Sequence, residues 1–398
     1  MNILFLSLSR FDDVNDRGIY SDLMREFVRR GNEVYIASPT ERRFGKSTYL
    51  SVSSHCQILK IKTLNIQKTN IVEKGIGTLL LETQFDKAIR KYWGEIRFDL
   101  VLYSTPPITF NRVIERVKKR CGCKSYLLLK DIFPQNAVDL GMFSERSIFC
   151  RFFRKKEQKL YRLSDYIGCM SPANVEYVLA HNAEIDPQKV HVNPNSIEVS
   201  SPTIVDKKKV RRKYGLPEEK PIFIYGGNLG KPQGIDFLLQ ILNRYRDDVR
   251  MFFLIVGSGT EYPKVEKWFS EHCPTNARLY SSLPKSEYDQ LVSSCDVGMI
   301  FLDKRFSIPN YPSRLLSYLE NRMPVIIASD RNTDIGSIAE QNGFGLWSES
   351  GDMTMFDKNL QILLGQDTIT DKGEAGYRFL LENYTVDKSC SIIIKSIS

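Results

Sequence analysis

Histidine is scarce in this chain: there are four in 398 residues, at positions 55, 181, 191 and 272, and none are paired at metal-binding spacing. The sequence contains no His-Glu-x-x-His run, no Gly-x-Ser-x-Gly elbow and no Asp-x-Asp pair of the kind that ties a divalent cation to phosphates. A metal-dependent mechanism is therefore disfavoured. No apolar run approaches the length of about 18 residues that a membrane span needs. Low-complexity segments and short-period repeats are absent. The eight cysteines (56, 121, 123, 150, 169, 273, 295 and 390) are scattered, and Cys121 with Cys123 has no second pair to complete a zinc site. Cys169 and Cys295 end apolar strands and read as core, so a reduced cytosolic compartment is the simplest account. The opening MNILFLSLSR lacks a basic region and a cleavage site, and reads as a first strand and not as a signal peptide.

What is present suits a soluble α/β protein with 42% apolar residues. The length is too great for one core and fits two domains of about 200 residues each. The net charge of +9 lies wholly in the first half. Residues 1–200 hold 31 Lys and Arg against 22 Asp and Glu, whereas residues 201–398 hold 25 of each. The stretch Gln84–Arg162 is densest, with 18 basic and 8 acidic residues. Such one-sided charge suggests an anionic surface or a phosphorylated partner for the N-terminal half; a solvated basic face is the alternative.

Strand and helix patterns alternate twice along the chain. The first half carries candidate strands at Ile3–Leu8, Glu33–Ala37, Gln57–Ile61, Leu100–Tyr103, Ser125–Leu129 and Tyr166–Met170, with helical patterns at Ser21–Arg30 and Ile76–Tyr92. The second half repeats the plan at Ile222–Tyr225, Met251–Val256, Ala277–Tyr280, Val297–Phe301, Val325–Ala328 and Gly345–Trp347. Strands alternating with helices predict two parallel sheets, each covered on both faces. The polar stretch Val199–Lys208 reads as the linker, giving domains over 1–200 and 201–376. A helical segment over 377–398 would pack on its own domain or cross back to the first.

Pro221–Leu239, PIFIYGGNLGKPQGIDFLL, is the most informative stretch. A strand (Ile222–Tyr225) leads into a glycine-rich turn (Gly226, Gly227, Asn228, Leu229, Gly230, Lys231), and a helix opens near Ile235. Glycines let backbone N–H groups approach an anion, the helix N-terminus adds partial positive charge, and Lys231 adds a full one. An ordinary βα turn would read the same way. A second anion site is expected where the loop Ile308–Pro312, holding Tyr311, meets a helix from Ser313 through Asn321, with Lys304, Arg305 and Arg314 nearby. Gly257 and Ser258 form a strand-end turn, Val256-Gly257-Ser258-Gly259. In the first half, Asp131 ends a strand in LLLKDIFPQNAVDLGM, followed by Pro134 and Gln135. Ligands of open α/β sheets sit outside the carboxyl ends of strands, so Asp131 is a candidate acid, base or hydroxyl ligand, or else a cap for the next segment. Gly18 closes the acidic loop DDVNDRG after the first strand.

Taken together these segments resemble the GT-B glycosyltransferases, specifically glycosyltransferase family 4. YGGNLGKPQGIDFLL is similar to the opening of that family's nucleotide-binding domain, and VGSG to its second strand-end turn. PSRLLSYLENRMPVIIASD resembles its SKLLEYLAAGKPVIA segment, and VNPNSIE its PNG element. KDIFPQNAVDLG resembles the D-L-W-P-E element of members that move N-acetylated sugars onto lipid carriers for capsule and O-antigen synthesis. The order of these motifs covers nearly the whole chain. The family's E-x7-E pair is missing, with Pro309 and Ser317 in its two places. Glu320, one turn further along the helix, is the candidate substitute. Asn228 stands where many members have Arg, and Gln233 where they have its Lys partner.

The resemblance implies two Rossmann-like, doubly wound domains facing a central cleft. The N-terminal one takes the acceptor and the C-terminal one the sugar nucleotide. It implies a retaining transferase of hexosyltransferase type, independent of metal and of any cofactor. That enzyme moves a sugar, N-acetylated by analogy, from a UDP donor to a lipid-linked or glycan acceptor. Asp131, Lys231 and Arg314 are the candidate catalytic residues. Gly226, Gly227, Asn228, Gly230, Gly257, Ser258, Tyr311, Ser313, Ser317 and Glu320 are the candidate donor contacts, and Gly18, Pro134 and Gln135 lie on the acceptor side. A cytoplasmic protein bound peripherally to the inner face of the cell membrane is expected, with no nucleic-acid partner. Phe149–Arg162, with Phe149, Phe152, Phe153, Tyr161 and a run of Lys and Arg, is the expected anionic-membrane contact, or else a packed helix whose aromatics face the core and whose cations face water. Two rivals remain open: a non-hydrolysing UDP-sugar epimerase of the same architecture, and a non-catalytic sugar-nucleotide-binding subunit of a transferase complex.

Overall fold

A computed structural model of the chain describes residues 1–66, 71–200, 206–365 and 367–398. It divides into two compact units, Met1–Glu198 together with Thr385–Ser398, and Val199–Tyr384. Positions 201–205 of the expected linker lie outside the described residues, and Lys207 and Lys208 already belong to a helix.

The first unit is built on eight strands: β1 (Asn2–Leu6), β2 (Glu33–Glu41), β3 (Tyr49–Ser53), β4 (Cys56–Thr63), β5 (Leu100–Ser104), β6 (Lys124–Leu129), β7 (Tyr166–Cys169) and β8 (Val190–Val192). Their order is β3-β4-β2-β1-β5-β6-β7-β8, parallel throughout except for the β3–β4 hairpin. Six helices belong to this stretch: α1 (Ile19–Arg29), α2 (Ile71–Trp93), α3 (Asn111–Cys121), α4 (Gln135–Asp139), α5 (Ile148–Leu163) and α6 (Pro172–His181). The central strands are apolar end to end because helices cover both faces of a parallel sheet. Ile3, Phe5, Leu100, Leu102 and Leu128 are fully buried or nearly so. Each such side chain contributes about 1.5–3 kcal/mol through burial.

The second unit carries β9 (Ile222–Asn228), β10 (Phe252–Ser258), β11 (Ala277–Tyr280), β12 (Val297–Phe301), β13 (Val325–Ser329) and β14 (Gly345–Glu349). Its helices are α7 (Lys207–Lys213), α8 (Ile235–Arg244), α9 (Tyr262–His272), α10 (Lys285–Ser293), α11 (Arg314–Glu320), α12 (Ile335–Gln341), α13 (Met353–Leu363) and α14 (Thr368–Asn383). The order β11-β10-β9-β12-β13-β14 is wholly parallel and is the doubly wound 3-2-1-4-5-6 arrangement. The chain then ends in α15 (Val386–Ile397), whose Val386, Cys390 and Ile393 join the first unit's core beside Ile3 and Phe5. Arg30, which caps α1, holds this helix through the carbonyl of Asp387 at 2.8 Å and its carboxylate at 2.6 Å. The segment expected over 377–398 is thus parted between α14 and α15.

One boundary departs from expectation in a way that matters. Gly226, Gly227 and Asn228 do not turn; they extend β9 and pair with Val256, Gly257 and Ser258 of β10. The two strand ends lie so close that a Cβ on Gly257 would overlap the Gly227 carbonyl oxygen. The turn begins at Leu229, whose N–H bonds the Ser258 carbonyl at 2.9 Å. In the sequence, twin glycines signal a loop; here they permit a tight strand pairing.

Candidate functional site

In an open α/β sheet, ligands collect outside the carboxyl ends of strands, where the strand order reverses. In the second unit that point lies between β9 and β12. Gly226 and Gly227 end β9 there, and Gly227 has φ +120°, a conformation that side-chain-bearing residues rarely adopt. Arg314, the first residue of α11, comes to this place. Its guanidinium lies 4.4 Å from the centre of the Tyr225 ring, and its Nη2 donates to Gln233 Oε1 at 2.5 Å. A Cβ on Gly227 would sit 3.7 Å from Arg314 Nη2. Arg314 Nη1 is buried and has no hydrogen-bond partner. A buried, unpartnered guanidinium nitrogen is costly, and such an orphan points to a group the protein is built to receive.

Two tyrosines complete the cluster. A Cβ on Gly226 would overlap the Tyr288 hydroxyl, so that hydroxyl lies directly over the glycine. Burial pushes the Tyr288 hydroxyl well up from the ordinary tyrosine range, which keeps it a neutral donor. The Tyr318 hydroxyl accepts the Gly226 N–H at 3.0 Å and donates to the Ile224 carbonyl at 3.3 Å. This spends the Gly226 N–H, which the sequence assigns to an anion, and Ser258 likewise takes that of Leu229. Sequence reasoning passes over Tyr288 and Tyr318, and reads Tyr225 only as a strand residue and Gln233 only as a departure from the family pattern. Only the sheet order brings α10 and α11 to the end of β9.

The other expected donor residues scatter. Lys231 is exposed on the short 3-10 turn Lys231–Gln233, and Gly230 precedes that turn. Asn228 is exposed, and its side chain lies against Gly230 and Gly259. Ser313 holds the N-cap position of α11, a helix of seven residues, and makes no side-chain capping hydrogen bond. Arg305 pairs with Asp303 at 2.7 Å. Tyr311 is buried and its hydroxyl meets that of Tyr384 at 2.5 Å, so it is engaged within its own unit. Ser317 is half-buried, its carbonyl accepting from Asn321 at 2.8 Å. The Glu320 carboxylate accepts from the Ser200 N–H and hydroxyl, both at 3.2 Å. It is engaged by the chain leading into the unit, which disfavours it as a replacement for the missing acidic pair.

In the first unit, Asp131 follows β6. The Thr105 hydroxyl receives its backbone N–H at 3.1 Å, and Asn136 Nδ2 donates to its two carboxylate oxygens at 2.8 and 2.9 Å. Burial outweighs these bonds and raises the Asp131 carboxyl to about 6. Its neighbour Lys130, which the sequence does not single out, donates to the Asn193 carbonyl at 3.1 Å, and burial lowers its ammonium to about 7. Lys130 lines a small recess with Tyr20, Asn195, Ser196 and Ser389 among others. Asn195 Oδ1 is buried there without a partner. Gly18 sits at the start of α1, where its N–H bonds Asp22 at 3.0 Å. Gln135 is spent on structure: its amide donates to Asp139 at 2.8 Å and accepts from Arg154 at 2.7 Å. Pro134 is buried ahead of α4.

Among known proteins, residues 206–376 match the family described as Glycosyl transferases group 1. A probable glycosyltransferase, WbjE of Pseudomonas aeruginosa, is 24% identical over 286 residues, covering 70% of this chain and 68% of that one. A putative colanic acid biosynthesis glycosyl transferase, WcaI of Escherichia coli K12, is 28% identical over 134 residues, a third of each chain (33% and 32%). Among solved structures, sucrose-phosphate synthase from Thermosynechococcus elongatus superposes with a TM-score of 0.77 at 15% identity, covering 99% of this chain and 97% of that one. Anabaena HepE in complex with UDP superposes with a TM-score of 0.67 at 13% identity, covering 100% and 99%. The α/β fold of two doubly wound units is that of the GT-B glycosyltransferases, and the second unit carries the sequence pattern of Glycosyl transferases group 1.

Proposed function

We propose that this protein is a glycosyltransferase that moves a sugar from a nucleoside diphosphate donor, a UDP-sugar, to a lipid-linked or glycan acceptor in cell-surface polysaccharide synthesis. The observation that carries the reading is the unpartnered Arg314 Nη1 at the end of β9. When a glycosyl bond to a diphosphate breaks, negative charge grows on the leaving phosphate oxygen. A guanidinium held in place by Tyr225 and Gln233 stabilises that charge without reorganising. The Tyr288 hydroxyl is a second donor poised over Gly226, and Lys231 supplies further positive charge from the adjoining turn.

In the first unit Asp131 is the acid–base group for the acceptor. A carboxyl near 6 holds or releases a proton at neutral pH more readily than an ordinary aspartate. Support for the donor comes from HepE, whose structures contain UDP and UDP-glucose. Support for polysaccharide synthesis comes from WcaI, named for colanic acid biosynthesis. Retention of anomeric configuration, a hexosyl or N-acetylated sugar, and independence of metal follow from the family resemblance and complete the reading.

Calorimetry with UDP and a panel of UDP-sugars, in EDTA, tests it together with slow release of UDP by the purified chain. Binding with release is expected. Binding with no turnover on any donor would favour the non-catalytic subunit, which the engagement of Glu320 by Ser200 would then explain. An absolute need for a divalent cation, or no binding of any nucleotide, would overturn the donor site.

A further inference from the structure

Large apolar side chains are exposed in the amino-terminal halves of two helices of the first unit. On α5, Ile148 is 81%, Phe149 70% and Phe152 40% exposed. On α2, Ile76, Leu79 and Leu80 are exposed as well. The remainder of α5 behaves as an ordinary packed helix. Phe153 packs edge-on to Phe133 at 5.0 Å, and Tyr161 is buried with its hydroxyl on Glu157 at 3.0 Å. These two aromatics, expected from the sequence to join the exposed set, point inward. The cations divide in the same way: Arg154 pairs with Glu157, Lys156 with Glu82, and Lys159 with Glu115. Arg146, Arg151 and Lys155 are exposed and make no ion pair among the described residues; Glu145 is the one exposed acid beside them.

The two apolar sets belong to one side of the unit. Both helices follow one strand of the parallel sheet and lead to the next, so both begin at the strands' carboxyl ends. Helix α3 packs against each of them, and Lys156 of α5 reaches Glu82 of α2 at 3.9 Å. Leu79 and Leu80 precede that contact on α2, as Phe149 and Phe152 do on α5. At a rise of about 1.5 Å per residue, all four stand roughly 3–10 Å beyond it toward the helix starts.

We propose that Ile76, Leu79 and Leu80 of α2 together with Ile148, Phe149 and Phe152 of α5 form a docking face for an anionic lipid bilayer. Apolar anchors ringed by unpaired cations are the chemistry of a surface that enters the headgroup layer, with each cation attracted by acidic headgroups. A second copy of the chain suits the face poorly, because a two-fold contact would bring two sets of Arg146, Arg151 and Lys155 together with Glu145 as the one exposed acid beside each. The proposal goes beyond the assignment of sugar transfer and stands whether or not that assignment holds.

The test is co-sedimentation of the full chain with vesicles of phosphatidylglycerol and phosphatidylethanolamine, compared with phosphatidylcholine alone. Binding is expected to the first and not the second, and to fall with added salt. Ile148→Ser with Phe149→Ser, Leu79→Ser with Leu80→Ser, and Arg151→Glu with Lys155→Glu are each expected to weaken it roughly tenfold or more. All six side chains are exposed, so thermal melting should stay at the wild-type temperature and show the fold intact. No binding to anionic vesicles overturns the proposal. Wild-type binding by the α2 variant overturns the two-helix face. A dimer in sedimentation velocity that Phe149→Ser dissolves would make the face a self-interface.

Discussion

Arg314→Met separates a ligand-binding role from a structural one, because the two predict opposite patterns. The substitution keeps an extended side chain over Tyr225 and removes the charge. It forfeits the cation–π contact, worth about 0.5–2 kcal/mol, and the bond to Gln233. It also removes a buried Nη1 without a partner, whose burial costs about 1–3 kcal/mol. These terms offset one another, so ligand-free stability should change by no more than ~1 kcal/mol. In a domain of about 200 residues that shifts the melting temperature by about 4 °C at most. UDP should behave differently. One lost charge-assisted contact is worth about 1.5–3 kcal/mol, so affinity should fall about 10- to 150-fold. Calorimetry with UDP in EDTA, paired with melting curves with and without UDP, reads both quantities. The reasoning fails if the variant melts some 10 °C lower while binding UDP as the wild type does. Arg314 would then be a packing element and the diphosphate would lie elsewhere.

Asp131→Asn should lower transfer about 100-fold or more while UDP affinity is unchanged, as befits a lost acid–base group on the acceptor side. Wild-type turnover should fall as pH drops through about 6, and the variant should lack that limb in its pH–rate profile. Burial also makes folded Asp131 hold its proton more tightly than the unfolded chain does. Wild-type stability should therefore decline as pH rises from 3.8 to about 6, and urea titrations of the variant should not show this component. Lys130 has the opposite sign: its folded value is depressed to about 7 from 10.5, so stability should climb with pH across that window, and Lys130→Met should flatten the climb in melts at pH 7 to 10. Gly257→Ala forces apart the ends of β9 and β10; it should destabilise by about 1–3 kcal/mol in urea and weaken UDP binding, and wild-type values for both would show that the pairing has slack.

The strands were legible because parallel strands covered on both faces are written as continuous apolar runs, and each of the twelve runs read from the sequence overlaps a strand, with Ser7, Leu8, Met170 and Met251 falling just outside. The two strands not foreseen lack that signature. β3 is an exposed hairpin edge, YLSVS, with Ser51, Val52 and Ser53 open to water, and β8 is three residues long. The glycine segment is conspicuous in the sequence, but its conformation is not. Gly226 and Gly227 look like turn residues until Gly257 is known to lie beside them, and that contact depends on the pairing of β9 with β10. The surroundings of Tyr311 are hidden for a related reason. Its place in a proline-bounded loop suggests exposure, and nothing local announces the Tyr384 hydroxyl 73 residues away that takes its own.

The departures from the family pattern acquire a physical account through Arg314. In the sequence, Asn228 and Gln233 stand in the places of an Arg and a Lys, which leaves the glycine segment with Lys231 as its one cation. In the fold, the amide at 233 acts on a neighbouring side chain, because its oxygen anchors Arg314, which reaches the end of β9 from α11. A lysine at 233 would repel that guanidinium and could not accept its hydrogen bond. Gln233 and Arg314 are therefore compatible in a way that a lysine at 233 with Arg314 would not be. Their pairing is not readable from a linear motif, because Gln233 and Arg314 are 81 residues apart. Strand order is what makes them neighbours: β9 and β12 are adjacent at the switch point, so the turn after one and the helix after the other share the same end of the sheet. An arginine held there by an amide and a tyrosine ring, with one nitrogen unspent, is the arrangement an anion needs.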